Sequence, residues 1–427
     1  MTLFVGIDFG TSGARLVVID DRTELVAEVS QRFAQMDDWV TTWESTLKAL
    51  IRQVPAVYRD QIGAIAINGT SATVLLCDRQ GRPLAAPLLY NDARGAGKLT
   101  ALQEFFAQAR YQTARGKATV LNATSSLVKL LWWQDQPYFS EAHYLMHQAD
   151  WLGFLLHGQL GISDYHNSLK LGYDPVHLSY PDWMEDLGLV HLLPRVVTPG
   201  TTIGPILPAI ARELGLPLSC QIHAGTTDSI AAFLASGATA PGEAVTSLGS
   251  TLVLKLLSRV PVENSQYGIY SHRLGDRWLV GGASNTGGAV LKQFFTAAEL
   301  AELSDRIDPE RVSPLNYYPL LQAGERFPLA DPNLQPQLEP RPAEAIEFLH
   351  GLLESMARIE ARGYELLQQF GATPLVRVYT AGGGAKNSTW TAMRARYLQV
   401  PVQPSTWTEA ACGTALLAMR GLSASDP

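Results

Sequence analysis

Hydrophobic and polar positions are most sharply patterned at the start of the chain. Residues 3–7 form an unbroken apolar run that predicts a buried strand, Gly10-Thr11-Ser12-Gly13 reads as a turn, and residues 14–19 predict the returning strand. Residues 24–33 alternate as a third strand. A helical period then takes over from about Asp37 to Tyr58, with Trp39, Trp43, Leu47, Leu50 and Ile51 on one face. Strands are predicted at 62–68, 73–77 and 84–90, with a turn at 79–82 between the last two. Three strands, a helix and more strands describe a mixed α/β unit, not a continuous βαβ array.

Residues 100–157 read as mainly helical, with an apolar stripe at Leu127, Leu130, Leu131 and Trp132. Glycine- and proline-punctuated surface connections follow, around residues 198–205. A second half then begins. Residues 244–258 predict two strands around Leu248-Gly249-Ser250-Thr251, residues 278–282 a strand, and 288–296 a helix. The proline-rich segment 309–342 keeps its aromatic residues and is expected to be an ordered surface loop. A long helix at 343–370, a strand at 375–380, a Gly382-Gly383-Gly384 turn, a helix, a strand and a last helix ending near Met419 complete the pattern. Strand, glycine-hydroxyl turn and strand thus occur twice, at 8–14 and at 247–252, and two similar halves would place the turns face to face.

A chain of 427 residues exceeds the usual size of one core, so two domains are expected. With 46% hydrophobic and 17% charged residues it has the composition of a packed enzyme. A net charge of -7 and the lack of any basic run argue against a nucleic-acid partner. Cys77, Cys220 and Cys412 form no Cys-x-x-Cys pair, which points to a reducing compartment and away from a disulfide framework or zinc knuckle. No signal-peptide core and no bilayer-length apolar stretch is visible, so a cytoplasmic protein without a membrane partner is expected.

The turns carry the candidate chemistry. Asp8 ends the first strand, where a carboxylate can hold Mg²⁺ through water. Gly10 allows close backbone approach to phosphate oxygens, and Thr11 and Ser12 add hydroxyl donors. An ordinary hairpin with Asp8 capping its turn is the competing reading, and the downstream recurrence shifts the balance. Asp228 lies where a glycine turn, Ala224-Gly-Thr-Thr-Asp-Ser229, leads into an apolar helix at 230–234, a place where a plain helix N-cap is also common. His143 and His147, spaced i, i+4 on an expected helix, lack the glutamate of a metalloprotease motif and do not indicate zinc.

Six segments together resemble the FGGY carbohydrate kinases: Gly6-Ile-Asp-Phe-Gly-Thr-Ser-Gly13, Asn91-Asp-Ala-Arg94, Ala224-Gly-Thr-Thr-Asp-Ser229, Ser247-Leu-Gly-Ser-Thr251, Ala381-Gly-Gly-Gly-Ala-Lys-Asn387 and Glu409-Ala-Ala-Cys-Gly-Thr-Ala415. They occur in the family's order and span residues 3 to about 418. The resemblance implies an α/β, two-domain actin-like (ribonuclease H-like) ATPase fold with an interdomain nucleotide and sugar cleft. Its expected domains are 1–234, with a C-terminal helix from 403–427 packing back, and 235–402, with glycine-bounded hinges near Gly237 and Val400. It implies ATP and Mg²⁺ as cofactors and a small sugar as substrate. Asp228 becomes the catalytic base and, with Asp8, a metal-associated carboxylate. Gly10, Thr11, Ser12, Gly249, Ser250 and Thr251 become phosphate-binding, while Gly383, Gly384, Asn387 and Trp390 form the adenosine motif, Trp390 being equally readable as core. Asp8, Ser71, Asp92, Asp228 and Ser229 become sugar-binding, with Arg94 orienting Asp92.

One departure bears on substrate. Xylulokinases usually show a Ser-Gly-Gln-Met-His-Gly segment where this chain reads Asn68-Gly-Thr-Ser-Ala-Thr73. Together with the short chain, that is closer to the compact plant and cyanobacterial kinases of D-ribulose. The expected reaction is therefore ATP-dependent phosphorylation of D-ribulose to D-ribulose 5-phosphate, with D-xylulose or another small polyol as the alternative substrate. An actin-like or heat-shock-chaperone-like ATP switch is the alternative from another class.

Overall fold

The computed structural model describes residues 1–33, 38–108, 111 and 121–423. The chain divides into two units, Met1–Ala235 with Glu409–Pro427, and Ser236–Thr408. The first unit contains β1 (Leu3–Phe9), β2 (Gly13–Ile19), β3 (Leu25–Arg32), β4 (Ile62–Gly69), β5 (Val74–Cys77), β6 (Tyr144–His147), β7 (Ile162–Asp164), β8 (Arg195–Val197), β9 (Thr202–Pro205) and β10 (Gln221–Thr227). Its main sheet has the order β3-β2-β1-β4-β10-β9. β1 and β2 form the expected hairpin, while β4 runs parallel to β1 and β10 parallel to β4. A central parallel strand is covered on both faces, which is why β1 is apolar along its length rather than alternating.

Leu3, Val5, Ile7 and Phe9 share a core with Trp43, Leu47, Leu50 and Ile51 of the helix Trp39–Gln53. That helix is capped by Asp38, whose carboxylate accepts the Thr41 N–H at 3.1 Å. It stops at Val54 because Pro55 disfavours a helical residue before it, and a short helix, Ala56–Arg59, follows. The single helix expected through Tyr58 is therefore two, and its expected start at Asp37 lies outside the described residues.

Two further expectations are corrected in this unit. Residues 84–90 are not a strand but an irregular segment held by isolated bridges, Cys77↔Pro83 and Val74↔Leu88. The stretch 100–157 is interrupted by β6, which pairs with β5 from Val74↔His147 to Cys77↔Tyr144. His147 thus ends a strand, and His143 precedes it. The helices around β6 are Ala96–Ala107, Ser126–Trp133 and Gln148–His157. Residues 109–110 and 112–120 of the stretch lie outside the described residues.

The last helix, Ala410–Ser423, returns to the first unit and packs on β1, β4 and the helix Asp228–Ala235. The approach is close at two glycines. A Cβ on Gly6 would lie 2.1 Å from the Ala411 carbonyl oxygen, and one on Gly413 would lie 1.9 Å from that of Ala231.

The second unit contains β11 (Glu243–Leu248), β12 (Leu252–Ser258), β13 (Tyr270–Leu274), β14 (Arg277–Ser284), β15 (Arg377–Ala381) and β16 (Val402–Pro404), ordered β13-β14-β12-β11-β15-β16. It repeats the plan of the first: an antiparallel run joined to parallel neighbours, here β11, β15 and β16. Because β16 pairs with β15, residues 403–408 belong to this unit. The long helix Ala345–Gln369 packs against the helix Ser388–Leu398, and a bidentate pair between Glu360 and Arg394 is fully buried between them. The segment 309–342 has no helix or strand, yet it sends Tyr317, Leu320 and Phe327 into the core. Among the described residues no helix is long and apolar enough to cross a membrane.

Gly413→Ala tests the glycine contact. Overpacking of this kind costs about 1–3 kcal/mol, so the variant should melt at a lower temperature than the parent in a thermal denaturation assay. An unchanged melting temperature would show that the two helices separate without cost.

Candidate functional site

The parallel register brings the candidate carboxylates to one end of the first sheet. Asp8 is paired across β1 and β4 with Asn68, and Asn68 across β4 and β10 with Thr226. Asp228 begins a helix directly after β10 ends at Thr227. The expected glycine turn at 224–227 is instead the bulged end of β10, whose register shifts between His223 and Thr226. Gly225 makes the bulge possible, since a Cβ there would lie 1.7 Å from the Ile67 carbonyl oxygen.

Asp8 is an ill-solvated carboxylate. Its Oδ1 is buried without a hydrogen-bond partner, and burial, reinforced by the negative charges of Asp228 and Glu409, pushes its pKa up to about 7. Arg15 and Asn68 pull the other way without winning. Asp228 is half-buried, and its Oδ1 accepts the Ser229 N–H at 2.6 Å. The turn beside them is closed by the Gly10 N–H donating to the Gly13 carbonyl at 3.0 Å, which leaves Thr11 and Ser12 exposed. Two neighbouring carboxylates, one with a buried and unpartnered oxygen, fit Mg²⁺, which usually takes one or two carboxylates and fills its remaining positions with phosphate and water oxygens.

The sugar segment lies elsewhere in the same unit. Ser71 is half-buried in the turn after β4, where the Thr73 N–H donates to the Thr70 carbonyl at 3.2 Å. Asp92 is gripped by Arg94, whose Nε donates to both carboxylate oxygens at 3.0 and 2.9 Å, while the guanidinium lies 5.1 Å from the Trp132 ring centre. Burial opposes ionisation of Asp92, but the Arg94 hydrogen bonds and charge outweigh it and hold the carboxyl below its ordinary pKa. Ser229 is exposed beside Asp228.

The second unit has a half-open cavity of about 790 Å³. Gly249, Ser250, Gly383, Gly384, Asn387 and Trp390 line it, and Thr251 closes the same turn by accepting the Gly249 N–H at 3.3 Å. Both glycine turns follow the neighbouring parallel strands β11 and β15, in register at Ser247↔Ala381. Gly382 has φ +83°, and a Cβ on it would lie 2.7 Å from the Leu248 carbonyl oxygen, so the two turns can meet only through glycine. Asn387 is the N-cap of the helix Ser388–Leu398: its Oδ1 accepts the Trp390 N–H at 2.8 Å and its Nδ2 donates to Ser304 Oγ at 2.8 Å. Trp390 belongs to the unit's core and is 3% exposed, with one edge on the cavity wall.

The structure adds residues that the motifs did not mark. Gly288, Lys292, Ser304 and Asp305 also line the cavity, beside Lys386 of the Ala381–Asn387 segment, and the Gly288 and Ala289 N–H groups donate to the Gly249 and Ser250 carbonyls. In the first unit, burial lowers the pKa of Lys170, with the charge of Asp228 opposing, and Lys129 is fully buried. Lys129 had a sequence signal: it is the single charge in the apolar run Leu127-Val-Lys-Leu-Leu-Trp-Trp133, and a lysine there needs buried acceptors.

Carboxylates at the carboxyl ends of parallel strands in the first unit, and glycine-hydroxyl turns around a cavity in the second, are carried by a two-domain α/β fold of the actin-like, ribonuclease H-like class. The model of the FGGY family of carbohydrate kinases, N-terminal domain, matches residues 3–235, and that of the C-terminal domain matches residues 244–422. The chain belongs to the FGGY family of carbohydrate kinases and is an ATP-dependent sugar kinase. It is similar to the xylulose kinase of Bacillus subtilis (strain 168), at 24% identity over 92% of this chain and 83% of that one. Its fold matches the crystal structure of xylulose kinase from Rhodospirillum rubrum (TM-score 0.85, 20% identity, 99% of this chain and 90% of that one). It also matches Plasmodium falciparum glycerol kinase with ADP (TM-score 0.85, 18% identity, 100% and 91%).

The Asp8 environment has a signed consequence. Its folded pKa lies above the unfolded value of 3.8, so ionising it costs stability progressively as pH rises from about 4 to about 7, after which the cost is constant. Asp8→Asn removes that cost. Its melting temperature, relative to the parent without nucleotide or metal, should therefore be higher at pH 8 than at pH 5, and a pH-independent difference would refute the buried-charge reading.

Proposed function

We propose that this kinase phosphorylates D-ribulose at its C5 hydroxyl to give D-ribulose 5-phosphate. The observation that carries the choice of sugar is the turn after β4, which presents Thr70, Ser71 and Ala72 where the xylulokinase pattern has Gln, Met and His. Small side chains leave room for a substrate held by Ser71 and by the Arg94-oriented carboxylate of Asp92. The names of the similar proteins favour D-xylulose, and that second reading has equal support.

In this reading Asp228 takes the proton from the attacking sugar hydroxyl, and Ser229 and Asp8 help to hold the sugar. Phosphoryl transfer asks little more of a protein than positioning and charge neutralisation. Thr11 and Ser12 in one unit, and Ser250 and Thr251 in the other, hold phosphate oxygens, and the cavity beside Gly383, Gly384, Asn387 and Trp390 takes the adenosine. Asp8 and Asp228 would hold Mg²⁺, which neutralises phosphate charge when bound. A carboxylate such as Asp8, which burial and Asp228 keep from ionising freely, is suited to such a cation, because the cation removes the repulsion that raises its pKa.

The test is sugar-dependent ADP release from Mg-ATP with D-ribulose, L-ribulose, D-xylulose, glycerol and no sugar. The expected result is stimulation by D-ribulose well above the others. Stimulation by D-xylulose instead would move the substrate, and equal release without sugar would reject the proposed transfer. Asp228→Asn should lower kcat by about 10²–10⁴-fold while ATP affinity, read by calorimetry, is retained.

A further inference from the structure

We infer that Lys129 is a positioning residue for sugar recognition, tying together from beneath the two turns that carry Ser71 and Asp92. The inference rests on the reading that these two residues hold the sugar. Lys129 lies on the helix Ser126–Trp133 with no exposed surface, and its Nζ donates to the Ala72 carbonyl at 2.7 Å and to the Leu89 carbonyl at 2.6 Å.

Each acceptor has a particular place in its turn. Ala72 follows Ser71 directly and sits at φ +64°, a left-handed conformation that costs an alanine energy and has to be held by its surroundings. The Leu89 carbonyl also accepts the Asp92 N–H at 2.9 Å, so one oxygen closes the Asp92 turn and receives Lys129. The bridge Val74↔Leu88 joins the same two segments but stops short of both turns, and Lys129 carries the connection on to them.

The rest of the helix supports the same segment. Trp132 lies under the Arg94 guanidinium that grips Asp92, and a Cβ on Gly95 would lie 2.8 Å from the Val128 carbonyl oxygen. An apolar residue at 129 would suit the surrounding cluster of Leu127, Val128 and Leu130, but would take this donor from the Ala72 carbonyl and leave the Leu89 carbonyl with the Asp92 N–H. Burial, with the charges of Lys170 and Arg94 assisting and Asp92 opposing, lowers the Lys129 pKa to about 7. Both forms serve: the ammonium has three donors and the neutral amine two, enough for both carbonyls.

Lys129→Met keeps the aliphatic stem and removes the donors, and Lys129→Gln, which keeps a shorter donor, stands in if the first variant does not fold. Steady-state kinetics with the sugar selected by the ADP-release panel should show its KM raised about tenfold or more, with KM for ATP within about twofold of the parent. Asp92→Asn and Ser71→Ala, measured in parallel, should raise the sugar KM as well. If those two variants do so and the Lys129 variants do not, the positioning role is wrong and the sugar-site reading stands. If Asp92→Asn and Ser71→Ala leave the sugar KM unchanged, both are wrong. A Lys129 variant that loses kcat with neither KM altered would mark a purely structural lysine and overturn the inference.

Discussion

The register of three parallel strands underlies everything proposed for the first unit. Asp8, Asn68 and Thr226 lie side by side on β1, β4 and β10, and that row is what places Asp228, one step beyond β10, near Asp8. Side chains alternate along a strand, so a slip of one residue would turn Asp8 to the opposite face. The register is held by buried apolar residues along β1 and β4, Leu3, Val5, Ile7 and Phe9 with Phe4, Ala64 and Ala66 among them, and by Gly225, whose missing side chain admits the Ile67 carbonyl into the bulge of β10. The second unit uses the same device. Its two glycine turns leave adjacent parallel strands at Ser247↔Ala381, and Gly382 lets them touch. In open α/β sheets ligands gather at the carboxyl ends of strands, and there the first unit carries its carboxylates and hydroxyls and the second its hydroxyls and glycines.

Asp8 and the Glu360–Arg394 pair are buried charges treated in opposite ways. Glu360 and Arg394 are both fully buried, yet each is satisfied: Arg394 Nε and Nη2 donate to the carboxylate at 2.6 and 2.8 Å, its Nη1 donates to Thr380 Oγ1, and Thr246 Oγ1 donates to Glu360. Such a network joins β11, β15 and two helices, and the two glycine turns leave from the ends of those strands. Asp8 has the reverse arrangement, a buried oxygen with no partner and a second negative charge nearby. Such an arrangement lowers stability, and a perturbed carboxylate at the end of a strand makes Asp8 a candidate for a functional site.

What was legible in the sequence follows from how local each signal is. The hairpins at Asp8 and Ser250 and the helix Ala345–Gln369 could be read directly, because glycine-hydroxyl turns between apolar runs and a sustained helical period are carried by neighbouring residues. Strand β6 was lost in an expected helix because its four residues are too few to show a period of two. Strand β13 was missed because its Ser-His-Arg centre lies at the sheet edge, where polar residues are tolerated. Residues 84–90 have strand-like composition but reach only isolated bridges. Of the site, Asp8, Asp228 and the glycine turns were visible as motifs. Lys129 stood out only as a lone charge in an apolar run, and Ser304 and Gly288 gave no signal, since each acts through a segment distant in sequence.

Asn387 shows why a motif residue and a ligand-contacting residue are different things. It lines the cavity, but its amide oxygen is engaged by the Trp390 N–H and its amide nitrogen by Ser304. Both interactions shape the wall: the first starts the helix Ser388–Leu398, and the second fastens that helix to Ser304, at the end of the helix Ala297–Asp305. Trp390, one turn further on, is largely committed to the core and limits how far Gly384 can shift, since a Cβ there would lie 2.8 Å from its ring. The polar side chains left at the cavity wall include Lys292 and Asp305, neither of them in a motif, and Lys386 of the Ala381–Asn387 segment. The glycine-rich segment therefore encodes the shape of the pocket and one of its charges, Lys386, while Lys292 and Asp305 come from helices whose sequences carry no signature of their role.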